Sequence, residues 1–177
     1  HQAISTACTQ LVAGQHHDQF IVDMIQGGAG TSTNMNANEV IANLALEAMG
    51  KEKGEYSFLH PNNDVNMAQS TNDAYPTAIR VGLLLGQNDL LASLEGLIGA
   101  FAAKGDEFSH VLKMGRTQLQ DAVPMTLGQE FKAFAANLSE DLNRLRLLSN
   151  DLFAPVNLGG TAIGTGINAD PRYQGIA

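Results

Sequence analysis

The sequence predicts an all-α protein in which long antiparallel helices form a helical-bundle core. Two stretches repeat apolar residues at steps of three, four or seven, a spacing typical of helices that pack along a seam. The first stretch runs from Ile79 to Leu112, and the second runs from Leu127 to Leu152. Because only a short polar turn joins them, the two helices should pack antiparallel.

Shorter helices are predicted ahead of these stretches. The apolar pattern indicates a helix over residues 4–25, although Gly14 interrupts it. Another helix is predicted over residues 34–49, where Gly50 follows as a C-terminal stop.

The long helices carry recognisable start signals. Asp73 can cap the first one, and Pro76 is tolerated in its first turn because the N–H that proline lacks would be unpaired there. Thr126 and Gln129 fit a capping box at the start of the second. Four small residues that permit close approach of another helix recur along the first helix: Gly82, Gly86, Gly96 and Gly99.

Two long helices cannot bury all of their own apolar flanks. Other copies of the chain or further residues should cover the rest, so we expect oligomerisation. The chain starts at His1 and stops at Ala177 without a terminating pattern, which predicts a piece of something longer. We expect residues 1–64 to be part of an N-terminal helical domain, and residues 65–177 to be the first part of a truncated central helical-bundle domain.

Composition argues against several classes of function. The net charge of the 177 residues is −8, so binding of nucleic acid through a basic surface is not expected. No apolar run approaches the roughly 20 residues of a membrane span. Cys8 is the single cysteine, which excludes an intrachain disulfide and fits a reducing compartment. We therefore expect a cytoplasmic protein that binds neither nucleic acid nor membrane.

Three polar joints, each just ahead of an apparent helix start, hold most of the chemistry: residues 28–36, 69–73 and 115–126. A helix N-terminus offers unpaired N–H groups and a partial positive charge, and hydroxyl and amide side chains add donors. The three joints together predict one composite site for a small anion. Fixed donors would suit removal of a proton next to a carboxylate, because they stabilise the charge that the carboxylate then gains. The donors predict anion binding and do not select the reaction.

Simpler explanations compete at single positions. Thr31 or Ser32 could serve only as an N-cap of the following helix. Hydrolysis through Ser32 or Ser70 lacks the Gly-x-Ser-x-Gly turn of such enzymes. His16 and His17 are adjacent, so on a helix they point about 100° apart and cannot easily face one metal ion.

Five stretches resemble motifs of the fumarase/aspartase superfamily. They are Gly-Thr-Ser-Thr-Asn-Met-Asn-Ala-Asn-Glu (30–39), His-Pro-Asn-Asn-Asp-Val-Asn (60–66), Gln-Ser-Thr-Asn-Asp-Ala-Tyr-Pro-Thr (69–77), Gly-Arg-Thr-Gln-Leu-Gln-Asp-Ala-Val-Pro-Met-Thr-Leu-Gly-Gln-Glu-Phe (115–131) and Asn-Leu-Gly-Gly-Thr-Ala-Ile-Gly-Thr-Gly (157–166). The resemblance covers nearly the whole chain from about Phe20 onward. The chain looks most like the aspartate ammonia-lyase branch, because Thr71 and Gln118 stand where fumarases usually carry Ser and His.

The resemblance implies reversible elimination of ammonia from L-aspartate to give fumarate, through an enediolate intermediate. It implies that three residues donate to the β-carboxylate as it becomes the enediolate: Thr31, Ser70 and Thr71. Asn72 and Gln118 would lie near the leaving amino group, and Thr117 would lie near the α-carboxylate.

The family's catalytic base is a serine in a mobile loop, Gly-Ser-Ser-x-Met-Pro-x-Lys-x-Asn, and that loop is absent from these residues. The resemblance also implies a homotetramer in which three subunits contribute to each site. We therefore expect no catalytic residue in this segment and no activity from it alone. No cofactor is expected to be required, and activation by a divalent cation stays open.

Other readings stay open beside this one. His60 and Asn62 match a second anion site of fumarases, although Asn63 replaces an Asp there. A class II fumarase has the same fold and is the alternative enzyme. A non-catalytic helical assembly module is the alternative from a different functional class.

Overall fold

The structure is a computed structural model that describes residues 1–25 and 27–176, without the side chains of Asn150 and Gln174. Its regular elements, in chain order, are α1 (Gln2–Val12), α2 (Thr31–Ala48), α3 (Thr71–Glu107), β1 (Leu112–Thr117), β2 (Gln120–Thr126), α4 (Leu127–Leu148) and α5 (Tyr173–Ile176). A 3₁₀ turn covers His17–Gln19, and π-helical turns cover Pro61–Val65 and Ser149–Phe153. The predicted all-α class is confirmed. Among the described helices, none is long and apolar enough to cross a membrane.

Two compact units make up the chain. The first comprises residues 1–79 and the segment from Val156 onward, and the second comprises residues 80–155. The two units are defined only by contacts among the residues of this chain. The predicted domain boundary between residues 64 and 65 stays a prediction.

The core of the first unit lies where α1 and the loop after α2 pack against α2. Its buried members are Ala42, Ala45, Leu46 and Leu59, against which Ile4 of α1 packs. The predicted helix over residues 4–25 is wrong beyond Val12, because Gly14 and His16 both adopt positive φ angles, of 85° and 59°. Such angles cannot continue a right-handed helix. The prediction for α2 is confirmed, with a start three residues earlier at Thr31.

In the second unit α3 and α4 run antiparallel, as predicted. Phe101 of α3 lies 5.8 Å from Phe131 and 5.7 Å from Phe134 of α4, measured between ring centroids. Glu95, which lies earlier in α3, pairs with Arg146, which lies later in α4. Earlier residues of α3 therefore contact later residues of α4, which is the pattern of an antiparallel helix pair.

These two helices approach each other closely at Gly105 and Gly128. A Cβ added to Gly128 would lie 2.3 Å from the Gly105 carbonyl oxygen, so a side chain does not fit there. The four glycines predicted to permit close approach, Gly82, Gly86, Gly96 and Gly99, have no neighbouring atom within 4 Å of such a Cβ among the described residues. Within this chain the prediction for those four is therefore wrong.

A β-hairpin, which the sequence did not predict, joins α3 to α4. α3 ends at Glu107, and Leu112 lies on β1, so the predicted helical extent to Leu112 is wrong. β1 pairs with β2 in antiparallel register, with Leu112 opposite Thr126 and Thr117 opposite Gln120. The usual sequence signal for such a hairpin is Asn-Gly or Asp-Gly in a two-residue turn. Gln118 and Leu119 occupy this turn instead, which explains why the pattern was missed.

The predicted uncovered flank of α3 is confirmed. Four of its apolar side chains are between 45% and 79% exposed: Leu83, Leu85, Leu90 and Leu97. The predicted capping box of α4 is also confirmed. The Thr126 N–H donates to Gln129 Oε1 at 2.9 Å, and the Gln129 N–H donates to Thr126 Oγ1 at 3.1 Å.

Candidate active site

Ser70 immediately precedes α3 and caps its first turn. The Ser70 hydroxyl oxygen accepts the backbone N–H of Asn72 at 3.2 Å, and the Asp73 carboxylate accepts the backbone N–H of Ser70 at 2.8 Å. This reciprocal arrangement resembles a capping box, with Asp in the place of Glu or Gln and with the second helical N–H, that of Asn72, in the place of the third. The predicted cap at Asp73 is therefore corrected. Asp73 is the third residue of the helix, and its side chain reaches back to the cap residue.

Pro76 lies inside α3, in its second turn, and the prediction that placed it in the first turn is wrong. A proline has no N–H, so the carbonyl oxygen of Asn72, four residues earlier, lacks its helical partner. The side-chain amide of Asn157 donates to that oxygen at 3.0 Å. The proline thus leaves an acceptor at the start of α3 that the segment 157–162 uses.

The same segment makes two further contacts with the start of α3. The Asp73 side chain is fully buried, and its second carboxylate oxygen accepts the backbone N–H of Thr161 at 2.9 Å. The side-chain amide of Asn72 donates to the carbonyl oxygen of Ala162 at 2.7 Å. Because the NH₂ group of Asn72 is engaged in this way, its amide oxygen is left as an acceptor.

Thr31 lies at the start of α2, in the same compact unit. Gly30, at φ 84°, occupies the N-cap position, so the simpler reading of Thr31 as the N-cap is wrong. A Cβ added to Gly30 would lie 2.1 Å from the Tyr75 ring, which shows that a ring of α3 packs directly on the α2 start. The Thr31 side chain is exposed.

The hydroxyl of Thr71, which is partly buried, is held by α2. The side-chain NH₂ of Asn34 donates to Thr71 Oγ1 at 3.0 Å and faces Asn66 Oδ1 at 3.4 Å. Asn66 Oδ1 also accepts from the side chain of Asn38 at 3.1 Å. Within the described part of the chain, no acceptor takes the hydroxyl proton of Thr71 or that of Ser70.

Thr117 and Gln118 lie at the tip of the hairpin, in the second compact unit. Both are exposed, and Gln118 and Leu119 have φ angles of 49° and 65°. Residues other than glycine rarely adopt such angles, and strained positions of this kind concentrate at functional sites. The structure brings Thr31, Ser70, Thr71 and Asn72 into one unit. That Thr117 and Gln118 join them stays a prediction.

His60 closes the turn at residues Pro61–Val65. Its Nδ1 accepts the backbone N–H groups of Asn62 and Asn63 at 3.1 Å and 3.3 Å. The Asp64 carboxylate accepts the backbone N–H of His60 at 2.7 Å. In this arrangement two of the backbone donors that a second anion site could use point at His60. The second site itself stays a prediction.

Among the residues that the structure describes, no group of three or more His, Cys, Asp or Glu side chains could hold a metal ion. Burial raises the pKa of the Cys8 thiol on α1. The Arg172 side chain beside it lowers the pKa of the exposed Asp170 carboxyl.

Comparison with known proteins decides the family. A family model described as Lyase matches residues 1–177. The chain is 78% identical over its whole length to an aspartate ammonia-lyase of Pseudomonas canavaninivorans. The chain belongs to this lyase family. The predicted resemblance to the fumarase/aspartase superfamily is thereby confirmed.

Solved structures of the lyase family share the fold. A fumarate lyase:delta crystallin from Brucella melitensis bound to cobalt matches with a TM-score of 0.81 at 62% identity, over 97% of this chain and 37% of that one. A class II fumarase from Schistosoma mansoni matches with a TM-score of 0.79 at 38% identity, over 97% of this chain and 36% of that one. The chain spans 37% of the length of the Pseudomonas canavaninivorans relative.

Three residues that support the candidate site were given no role in it from the sequence: Asn34, Asn66 and Asp73. Asn34 and Asn38 are four residues apart, which places them on one face of α2. The available signal was an amide side chain on a buried helix face, because a buried polar group needs a hydrogen-bond partner. Nothing local in the sequence tells which residue that partner is.

Proposed function

We propose that this chain is part of a protein as long as its relatives, termed here the parent protein. The parent protein is proposed to eliminate ammonia from L-aspartate to give fumarate. The observation that supports this proposal most directly is the direction of the hydrogen bonds at the start of α3. Ser70 and Thr71 hydroxyl oxygens accept from the protein, so their protons are available to a substrate carboxylate. The 78% identity to a relative named aspartate ammonia-lyase supports the choice of reaction.

The proposed chemistry has two bond-breaking steps. A base removes a proton from the carbon next to the β-carboxylate, and the electron pair moves into that carboxylate to form an enediolate. The pair then returns to form the carbon–carbon double bond as the carbon–nitrogen bond breaks and ammonia leaves with the electrons of that bond. The enediolate carries more negative charge than the substrate carboxylate, so fixed donors stabilise it more.

The residues of this chain divide between the two ends of the substrate. Donors to the enediolate are proposed to be Thr31, Ser70 and Thr71. The backbone N–H of Thr71 adds a donor, because as the first residue of α3 it has no helical acceptor. Asn72, whose amide oxygen remains an acceptor, suits the N–H groups of the amine, together with Gln118. Thr117 is proposed to contact the α-carboxylate.

The rest of the site is proposed to come from outside this chain. The catalytic serine belongs to a loop that the resemblance places in a later part of the parent protein. We propose a cytoplasmic homotetramer in which three subunits complete each site, which also supplies a cover for the apolar flank of α3. No cofactor is proposed, and activation by a divalent cation stays untested. This segment alone is proposed to be inactive.

The experiment is an assay of the purified parent protein with L-aspartate and, separately, with L-malate, followed by the ultraviolet absorbance of fumarate. Fumarate from aspartate supports the proposal, whereas fumarate from malate alone supports the class II fumarase reading. If neither substrate gives fumarate, the non-catalytic helical assembly module is the better reading. Activity from the segment alone would overturn the claim that it lacks the base.

Thr71→Val tests the site within the same assay. Valine keeps the shape of threonine and removes the hydroxyl donor. Loss of one donor to a developing oxyanion lowers kcat by about 10²–10³-fold. Thr6→Val is the matched control, because Thr6 is an exposed residue of α1 and should leave activity unchanged.

A further inference from the structure

We propose that Asn34 is a positioning residue that turns the Thr71 hydroxyl proton toward the substrate, and that Asn66 holds Asn34 in the orientation required. This inference rests on the proposed function, because it concerns the donor that Thr71 supplies to the enediolate. Asn34 belongs to α2 and Thr71 to the first turn of α3. The contact therefore couples two helix starts within one compact unit.

The direction of the hydrogen bonds is set at a backbone carbonyl. Asn66 Nδ2 lies 3.4 Å from the carbonyl oxygen of Gln69, which can only accept. The NH₂ group of Asn66 therefore faces Gln69, and its amide oxygen faces α2. An amide side chain has one donor end and one acceptor end, so fixing one end fixes the other.

The amide oxygen of Asn66 then orients two side chains of α2. It lies 3.1 Å from Asn38 Nδ2 and 3.4 Å from Asn34 Nδ2. Asn38 is buried, at 5% exposure, so its donor depends on this partner. Because the oxygen of Asn66 accepts only, Asn34 must present its NH₂ group on this side.

The second N–H of Asn34 completes the relay at Thr71. Asn34 Nδ2 lies 3.0 Å from Thr71 Oγ1, a normal distance for an N–H···O bond. A hydroxyl that accepts from Asn34 cannot also aim its proton at Asn34. The proton is therefore directed elsewhere, and a bound carboxylate is the acceptor that the proposed reaction supplies.

The test exchanges the donor of Asn34 for an acceptor. Asn34→Asp is nearly isosteric, but its carboxylate would take the Thr71 proton, so the enediolate would lose that donor. In the parent protein with L-aspartate we expect kcat/KM to fall by about 10²-fold, with the loss mainly in kcat because the donor acts on developing charge. Asn34→Ala leaves the hydroxyl unoriented, and a loss of roughly tenfold is expected.

A double-mutant cycle separates positioning from other effects. In the Thr71→Val background, neither Asn34→Asp nor Asn34→Ala should lower kcat/KM further, because no hydroxyl remains to be oriented. A penalty from the added negative charge would instead persist in that background. Asn43→Asp places the same charge change on α2 outside the predicted site, where the Asn43 amide contacts Glu39 and Tyr56, and it should leave kcat close to that of the parent protein.

The outcomes are distinct. An active parent protein whose Asn34 variants keep full kcat/KM, or whose losses add to that of Thr71→Val, overturns this inference alone. A parent protein that eliminates no ammonia from aspartate overturns the proposed function and this inference with it. Should Asn34→Asp fail to fold, by its melting temperature, the cycle with Asn34→Ala decides the question.

Discussion

The buried carboxylate of Asp73 accepts the backbone N–H of Thr161 at 2.9 Å, across 88 positions of the sequence. The other oxygen of the same carboxylate accepts the backbone N–H of Ser70 at 2.8 Å. One side chain thus ties the cap of α3 to a distant loop segment. The residues that carry the proposed donors, Ser70 and Thr71, belong to the helix start that this carboxylate holds.

Replacing Asp73 should therefore destabilise the protein. Asp73→Ala leaves the N–H groups of Ser70 and Thr161 without their acceptor, and each buried unsatisfied donor costs about 1–3 kcal/mol. We expect a loss of roughly 2–6 kcal/mol in the free energy of unfolding of the parent protein, measured by denaturant titration. Asp89→Ala, at an exposed position of α3, is the control and should change stability by less than about 0.5 kcal/mol. Equal effects of the two substitutions would contradict the role given to Asp73.

Gly128 should not tolerate a side chain. Gly128→Ala places a Cβ against the Gly105 carbonyl oxygen, and overpacking of this kind costs typically about 1–3 kcal/mol. Thermal unfolding of the parent protein measures the loss. Gly99→Ala, where no atom of the described residues lies within 4 Å of the added Cβ, should instead raise stability by about 0.5–1 kcal/mol. A loss at Gly99 would indicate that another helix covers that position in the parent protein.

The capping box of α4 should contribute a measurable part of its stability. Thr126→Ala removes the oxygen that accepts the Gln129 N–H, and loss of such an N-cap costs about 1 kcal/mol. Thr126→Ser keeps the hydroxyl and should restore most of the lost stability in the same unfolding assay. A serine variant as unstable as the alanine variant would show that the methyl group of Thr126 matters more than its hydrogen bond.

Cys8 should be a slow nucleophile in the folded protein. Burial raises the pKa of its thiol, so at a given pH less thiolate is present than in the unfolded chain. The stabilising contribution of the neutral thiol is complete below the unfolded pKa and is lost as pH rises through the folded pKa. We expect the rate of alkylation by iodoacetamide to rise at higher pH in the native protein than in the same protein in urea. Coincident pH profiles would contradict the shift.

Much of the candidate site was readable from short stretches of sequence. The polar joints ahead of α2 and α3 were located from hydroxyl and amide residues clustered before apolar repeats, and the structure places both joints at helix starts. The details of the α3 cap were harder to assign. Ser70 and Asp73 can each cap a helix, and only the structure shows that the Asp73 carboxylate reaches back to the Ser70 N–H and also accepts the distant Thr161 N–H.

The sequence by itself determined the helices α2, α3 and α4, the antiparallel arrangement of α3 and α4, and the membership of the lyase family. These features follow from local periodicity, capping residues and ordered motifs, which depend on neighbours a few positions apart. The tertiary structure decided the hairpin between α3 and α4, the close approach of Gly105 and Gly128, and the hydrogen bond from Asn34 to Thr71 Oγ1. Each of these depends on atoms brought together from distant positions, as Asn34 and Thr71 are, and hydrogen-bond direction depends on which partner is met.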